Sequence, residues 1–202
     1  MRKNEEPPQR RSIGARRSPA TADAVREAAQ AVLQEEGYAG FTIEAVARRA
    51  RAGKPTIYRW WPSKAALLLE VYHHQKRDVV HGDTGDLEED LFVLLSTLLG
   101  HWRRTLSGSI FRSILAEAQA DPKALEAVAA YAKERSAHIA EMVERARARG
   151  DLDAKAESSV IAELVLSFAW TRLILNQLEI SDDELRSVVR SIVRGALKPA
   201  GG

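Results

Sequence analysis

Cysteine is absent from this chain, which excludes a disulfide scaffold and a cysteine-ligated zinc finger. No apolar run approaches the roughly 18 residues that span a bilayer. The first twenty residues hold no apolar stretch of the kind a leader peptide needs, so neither a signal peptide nor a membrane anchor is expected. Sustained alternation of apolar and polar residues with β-branched enrichment is also missing, so strands are not expected. No segment repeats at intervals of about 20 to 50 residues. There is no phosphate-binding glycine loop, no nucleophile elbow and no convergent acid–base set. An enzyme is therefore not expected, and no cofactor is implied. His73, His74 and His81 sit near one another, but adjacent helical residues point about 100° apart. No metal site is read there.

What is present is a helix-forming chain of uneven charge. Hydrophobic residues make up 45% and charged residues 29%, enough for a packed core and too apolar for a wholly disordered chain. At 202 residues it has room for one large domain or two small ones. Residues 1–64 carry 13 Lys and Arg against 7 Asp and Glu, a net +6. Residues 65–202 carry 17 against 21, a net −4. A basic first third on an acidic remainder points to a polyanion-binding end and a second part with another task.

The pattern divides the chain. Residues 1–18 are polar and rich in Arg and Pro, and read as a disordered basic arm. From Thr21, Val25, Ala28, Ala29, Val32 and Leu33 recur at three- and four-residue spacing, and Gly37 is expected to end that helix as a C-terminal cap. Thr42 is a good N-cap for a short helix running to about Ala50. Lys54 to Trp60 form a second short helix, with Pro55 near its start, where a missing amide proton costs little. Trp61-Pro62 stops it. Ser63 then caps a longer helix to about His81. Gly82, Asp83, Gly85 and Asp86 read as a hinge-like break. Five further helices are expected over about 86–105, 108–120, 122–149, 155–178 and 181–197.

Two short helices around a tight turn at residues 43–60, the second crowded with cationic and hydrogen-bonding side chains, have the layout of a helix-turn-helix. Such a motif lays its second helix in the DNA major groove. Lys54, Tyr58 and Lys64 can reach phosphate oxygens. The first amides of the helix after Ser63 can assist Lys64, because helix N-termini attract anions. Pro55 and Thr56 can touch a thymine methyl or a base edge, and Trp60 lies on the same short helix. Arg59 can bind guanine or phosphate. Thr42 caps its helix and can also bind phosphate. Arg16 and Arg17 either follow the DNA backbone, enter the minor groove, or belong to plain disorder.

Residues 21–72 resemble the DNA-binding domain of the TetR family of bacterial transcriptional regulators. The residues that carry the resemblance are Gly37-Tyr38, Phe41-Thr42, Ile43, Val46-Ala47, Ala50, Gly53, Lys54, Thr56-Ile57-Tyr58, Trp61-Pro62-Ser63-Lys64 and Leu67-Leu68. The later part resembles the family more weakly, in its helix count, in Phe111 with Ala116-Glu117-Ala118-Gln119, and in Arg149-Gly150-Asp151-Leu152-Asp153. One departure stands out. The family usually has glycine after Ala50, and this chain has Arg51. Either Arg51 takes a left-handed backbone at a cost of roughly 1 kcal/mol, or Gly53 takes over part of the turn.

The resemblance implies an all-α fold of about nine helices. A three-helix helix-turn-helix domain at 19–64 leads through a connecting helix at 65–82 to a helical ligand-binding and dimerisation domain at 83–202. Composition adds to this. The 155–178 helix is apolar nearly all round and must be covered nearly all round, as an internal core helix or by a second subunit. With the 181–197 helix it would form the four-helix dimer interface implied by the family, through Val160, Leu164, Phe168, Leu185, Val189 and Ile192. The family also implies a small-molecule cavity. Its expected lining is Phe92, His101, Trp102, Phe111, Tyr131, Met142 and Trp170, with His138 among the polar groups nearby. The acidic balance of this half points to a neutral or cationic ligand. The expected function is a cytoplasmic, homodimeric bacterial repressor that binds palindromic double-stranded operator DNA and is released by an unidentified small-molecule effector. A ligand-responsive activator and a ligand-independent architectural DNA-binding protein are the alternatives.

Overall fold

A computed structural model of the chain describes residues 19–75, 82–153 and 155–195. Among these residues there are nine helices and no strands. The order is α1 Pro19–Gly40, α2 Ile43–Ala50, α3 Lys54–Trp60, α4 Lys64–Gln75, α5 Leu87–Arg104, α6 Ser107–Ala118, α7 Pro122–Arg149, α8 Ser158–Ile174 and α9 Asp182–Arg194. The basic arm expected over residues 1–18, with Arg16 and Arg17, lies outside the described residues, as do residues 76–81, over which the sequence led the fourth helix to be expected to continue.

Side-chain caps account for most helix starts. The Thr42 hydroxyl accepts from the Ala45 amide, Asp86 from Glu88 and Glu89, Asp121 from Lys123, and Ser181 from Glu184. Each satisfies a donor that the helix itself leaves unpaired. Gly37 does break α1, with φ 67° and ψ −173°, but one more helical turn follows to Gly40. Only glycine enters that backbone region without a steric penalty.

The expected helices at 155–178 and 181–197 are shorter in the structure. Lys155 lies in a turn before α8, and α8 stops at Ile174 because Asn176 swings to a left-handed φ of 55°. Arg172 holds the following loop by donating to the Gln177 and Glu179 carbonyls, both at 2.6 Å.

The break after α4 is not the loose hinge its glycines imply. Asp90, almost fully buried on α5, accepts from the Thr84 amide at 2.9 Å and the Thr84 hydroxyl at 2.8 Å. Gly82 lies so close that a Cβ there would come within 2.5 Å of the Asp90 carboxylate. The loop is folded onto a buried acid whose lone pairs it satisfies.

Buried apolar side chains form one contiguous cluster from the first helix to the last. Val25, Ala29, Val32 and Leu33 of α1 join Phe41, Ile43, Val46, Ile57 and Trp61 around the short helices. The core continues through α4, where Leu67, Leu68 and Tyr72 are fully buried, and α4 packs on α1, α6 and α7. Each such side chain contributes about 1.5–3 kcal/mol by leaving water. The same burial couples α4 to its neighbours on both sides.

The α8–α9 pair shows an uneven surface. Val160 and Leu164 are each 50% exposed, with Ile174 and Leu175 exposed beyond them. Phe168 and Ile192 are half-buried. Leu185 and Val189 differ from expectation. Both are buried within the protomer, because α9 packs on α5 as well as on α8. Their stripe serves the chain's own core.

Candidate nucleic-acid interface and buried cavity

The turn between α2 and α3 is built by Arg51. Its φ of 51° and ψ of 37° are left-handed. The Ala52 amide donates to the Ala47 carbonyl at 3.0 Å and the Arg51 amide to Arg48 at 3.4 Å, the paired bonds of a Schellman ending. Gly53 has an ordinary extended backbone and caps α3. The question left open by the sequence is thus resolved: arginine, not Gly53, absorbs the left-handed turn.

Ile57, fully buried, pins α3 to the core, and the Trp61 amide closes the helix on the Ile57 carbonyl at 2.9 Å. The opposite face then carries Lys54, Pro55, Tyr58 and Arg59, all exposed. Thr56 and Trp60 are half-buried. They line, with Arg51, Arg59 and the start of α1, a groove of about 470 Å³. Trp60 faces this groove and lies 6.2 Å from the Trp61 ring.

Three cations around α3 have carboxylate partners. Lys54 pairs with Glu44 of α2, which holds the Glu44 carboxyl below and the Lys54 amine above their usual ranges. Arg49 forks onto both oxygens of Glu35 at 2.5 and 2.8 Å and so fastens α2 to α1. Lys64, at the start of α4, stands 3.7 Å from Glu117 on α6 and 4.2 Å above the Tyr38 ring. The Tyr38 hydroxyl donates to the same Glu117 carboxylate. Burial, and then Glu117, push that phenol well above its ordinary range, so it stays a donor. The Thr42 oxygen is taken by the Ala45 amide at 3.1 Å, which leaves its hydroxyl proton for an outside acceptor. Ser63 similarly accepts from Ala66 at 3.0 Å and caps α4.

A second feature lies among α5, α7 and α8. Trp102, Tyr131 and Trp170 line a narrow cavity of about 40 Å³, together with Leu94, Leu95, Leu98, Arg135, His138, Ile139, Val165, Leu166 and Ala169. Three of the seven side chains expected there are present. Phe111 stands behind the wall, edge-on to Trp170 at 5.4 Å. Phe92 is covered by the Arg186 guanidinium at 3.7 Å. His101 sits in the last turn of α5, and Met142 is buried on α7; neither lines the cavity. Arg135 went unnoticed in the sequence. It follows Tyr131 by four residues and precedes His138 by three, the spacing of one helix face, and that register was the available signal.

The cavity wall is tied to α4. The Trp102 indole donates to the Tyr72 hydroxyl at 2.6 Å. Tyr72 stacks on Phe111 at 4.8 Å and meets Tyr131 edge-on at 5.9 Å. Burial raises the Tyr72 phenol well above its usual range and pushes Tyr131 up to about 12. Both are neutral at ordinary pH.

Among the described residues, no three His, Cys, Asp or Glu side chains are grouped to hold a metal. No described helix is long and apolar enough to cross a membrane.

A recognition helix propped on a buried isoleucine, presenting cations outward beside a second helix and a tight turn, defines a helix-turn-helix DNA-binding protein. Residues 25–71 match the sequence model of the bacterial regulatory proteins of the tetR family, and residues 81–192 match that of the tetracyclin repressor-like C-terminal domain. The chain belongs to the TetR family of transcriptional regulators, a class without enzymatic activity. It is 30% identical over 173 residues to the uncharacterized HTH-type transcriptional regulator Rv1556 of Mycobacterium tuberculosis, spanning 85% of each chain. It is 40% identical over 70 residues to the DNA-binding transcriptional repressor TetR of Mycobacteroides abscessus, spanning 33% of this chain and 36% of that one. The TetR family transcription regulator SCO0332 has a similar crystal structure, with a TM-score of 0.75 and 29% identity over 88% of this chain and 99% of that one.

Proposed function

We propose that this regulator is a repressor that binds a palindromic operator as a two-fold dimer in the bacterial cytoplasm and releases it when a small molecule enters the α5–α7–α8 cavity. The observation that carries the reading is Tyr72. It sits on α4, the helix directly after the recognition helix, and is held by Trp102 and Tyr131 of the cavity wall. A ligand that displaces either ring changes what α4 packs against. Two α4 helices moving in a dimer change the separation of the recognition helices and so lower operator affinity by population shift. The repressor named among the relatives, similar over about 70 residues, supports repression over activation.

Thr42, Lys54, Tyr58 and Lys64 contact phosphate in this reading; Pro55, Thr56, Arg59 and Trp60 face or flank the base edges. The half-exposed Val160 and Leu164, with Ile192, line an open groove of about 700 Å³ between α8 and α9. That groove is where a partner protomer docks. A dimer reads two half-sites about one helical turn, ~34–36 Å, apart. A gel-shift titration against the DNA upstream of its own gene tests the reading. Salt-sensitive, sequence-preferring binding is expected, and binding equally tight to unrelated DNA would remove the regulatory role.

The narrowness of the cavity favours a second reading, a DNA-binding protein that answers to no ligand. About 40 Å³ holds only a few waters, so an effector must push the wall apart to enter.

A further inference from the structure

We propose that the effector is a small apolar carboxylic acid, its ring or chain among Trp102, Tyr131 and Trp170 and its carboxylate on the guanidinium of Arg135. This deepens the effector reading above and rests on it. Arg135 lines the cavity, and its side chain is only 12% exposed. Its Nε is buried with no hydrogen-bond partner among the described residues. An unmet buried donor costs free energy, and a ligand acceptor recovers it. One terminal nitrogen of Arg135 donates to Glu134, a neighbour whose own side chain is half exposed. A guanidinium has five N–H donors in a planar fork, so Nε–H remains for a second carboxylate, a charge-assisted hydrogen bond.

The rest of the site points the same way. Among the described residues, no carboxylate lines the cavity. The hydroxyl of Tyr131 is protonated at ordinary pH, so the phenol adds no negative charge to the cavity wall. The guanidinium stands 5.6 Å over the Tyr131 ring, so charge recognition and aromatic packing meet at one point. An apolar pocket with one well-placed charged group takes a ligand of matching design. The net negative charge of residues 65–202 argued for a neutral or cationic ligand; the local field at the cavity is set by Arg135 instead. The acid also reaches Tyr131 and Trp102, the two side chains that hold Tyr72.

The test compares 4-phenylbutyrate with 4-phenyl-1-butanol, which share ring and chain length, by calorimetry on the full-length protein and on Arg135→Met. Methionine keeps much of the stem volume and removes the charge. Circular dichroism and operator binding confirm that the variant is folded. The wild type is expected to bind the acid at least tenfold more tightly than the alcohol. The variant should lose that preference while its affinity for the alcohol stays within twofold. Equal affinity of the wild type for both probes, an unaltered preference in Arg135→Met, or no binding of the acid would each overturn the assignment. Operator release is followed in parallel with the acid, the alcohol and 4-phenylbutylamine. Release by the alcohol or the amine but not the acid rejects the acid and keeps an effector-controlled regulator. Release by none rejects both and leaves the ligand-independent reading.

Discussion

At the residue scale, Arg51 carries the sharpest local conflict. Its Cβ meets the following carbonyl in the left-handed region, and glycine avoids that contact. Arg51→Gly should therefore stabilise the protein by about 1 kcal/mol, raising the melting temperature by roughly 2–4 °C for a chain of this size. A lower melting temperature would mean that the arginine side chain makes a contact worth more than the strain. The same substitution removes a cation from the groove beside Arg59. If Arg51 binds phosphate, the variant will be more stable and yet bind operator more weakly. Thr42 has two roles of the same kind. Thr42→Ala loses the cap to the Ala45 amide and should cost about 1 kcal/mol. Thr42→Ser keeps both cap and hydroxyl and should leave stability and operator affinity near wild type.

At the element scale, the contact of α1 and α4 with α6 matters most. One carboxylate, Glu117, receives the Tyr38 hydroxyl and attracts the Lys64 ammonium. If Lys64 is a phosphate ligand, Glu117 competes with DNA for it. Glu117→Gln keeps an acceptor for Tyr38 and removes the charge, so operator affinity measured by fluorescence anisotropy should rise a few-fold. A fall would show that Glu117 chiefly positions α4. Helix identity and order were largely legible, because Thr42, Asp86, Asp121 and Ser181 mark starts by chemistry that acts within a few residues. What an apolar stripe packs against was not. Leu185, Val189 and Ile192 share a spacing, yet two are buried in the chain's own core and the third is half open. Periodicity reports that a face must be covered and not by which neighbour. Aromatic residues of the later helices were similarly ambiguous. Phe92 and Met142 fit a cavity by type, and only the tertiary arrangement puts an arginine over one and core packing around the other. Asp90 follows two further acids, Glu88 and Glu89, and nothing in that run of charge marks it as the one that anchors the loop at Thr84.

At the scale of the whole molecule, two leucines separate folding from assembly. Leu164→Glu alters a half-exposed side chain on α8 and should dissociate the proposed dimer in sedimentation velocity while leaving helicity unchanged. Leu185→Ala empties a buried site on α9 and should cost about 2–5 kcal/mol without creating a charge at the α8–α9 groove. If Leu164→Glu stays dimeric, the partner docks elsewhere. The ion pairs described at α3 and α4 also bear on how binding responds to salt. A protein that neutralises DNA phosphates releases condensed cations, and the logarithmic salt slope counts them. If Lys54 and Lys64 bind phosphate as proposed, Lys54 leaves Glu44 and Lys64 leaves Glu117 when each turns to the DNA. The two abandoned carboxylates then collect cations from solution. Uptake at the protein offsets release at the DNA, so the measured slope will understate the number of phosphates held, and Glu44→Gln with Glu117→Gln will steepen it.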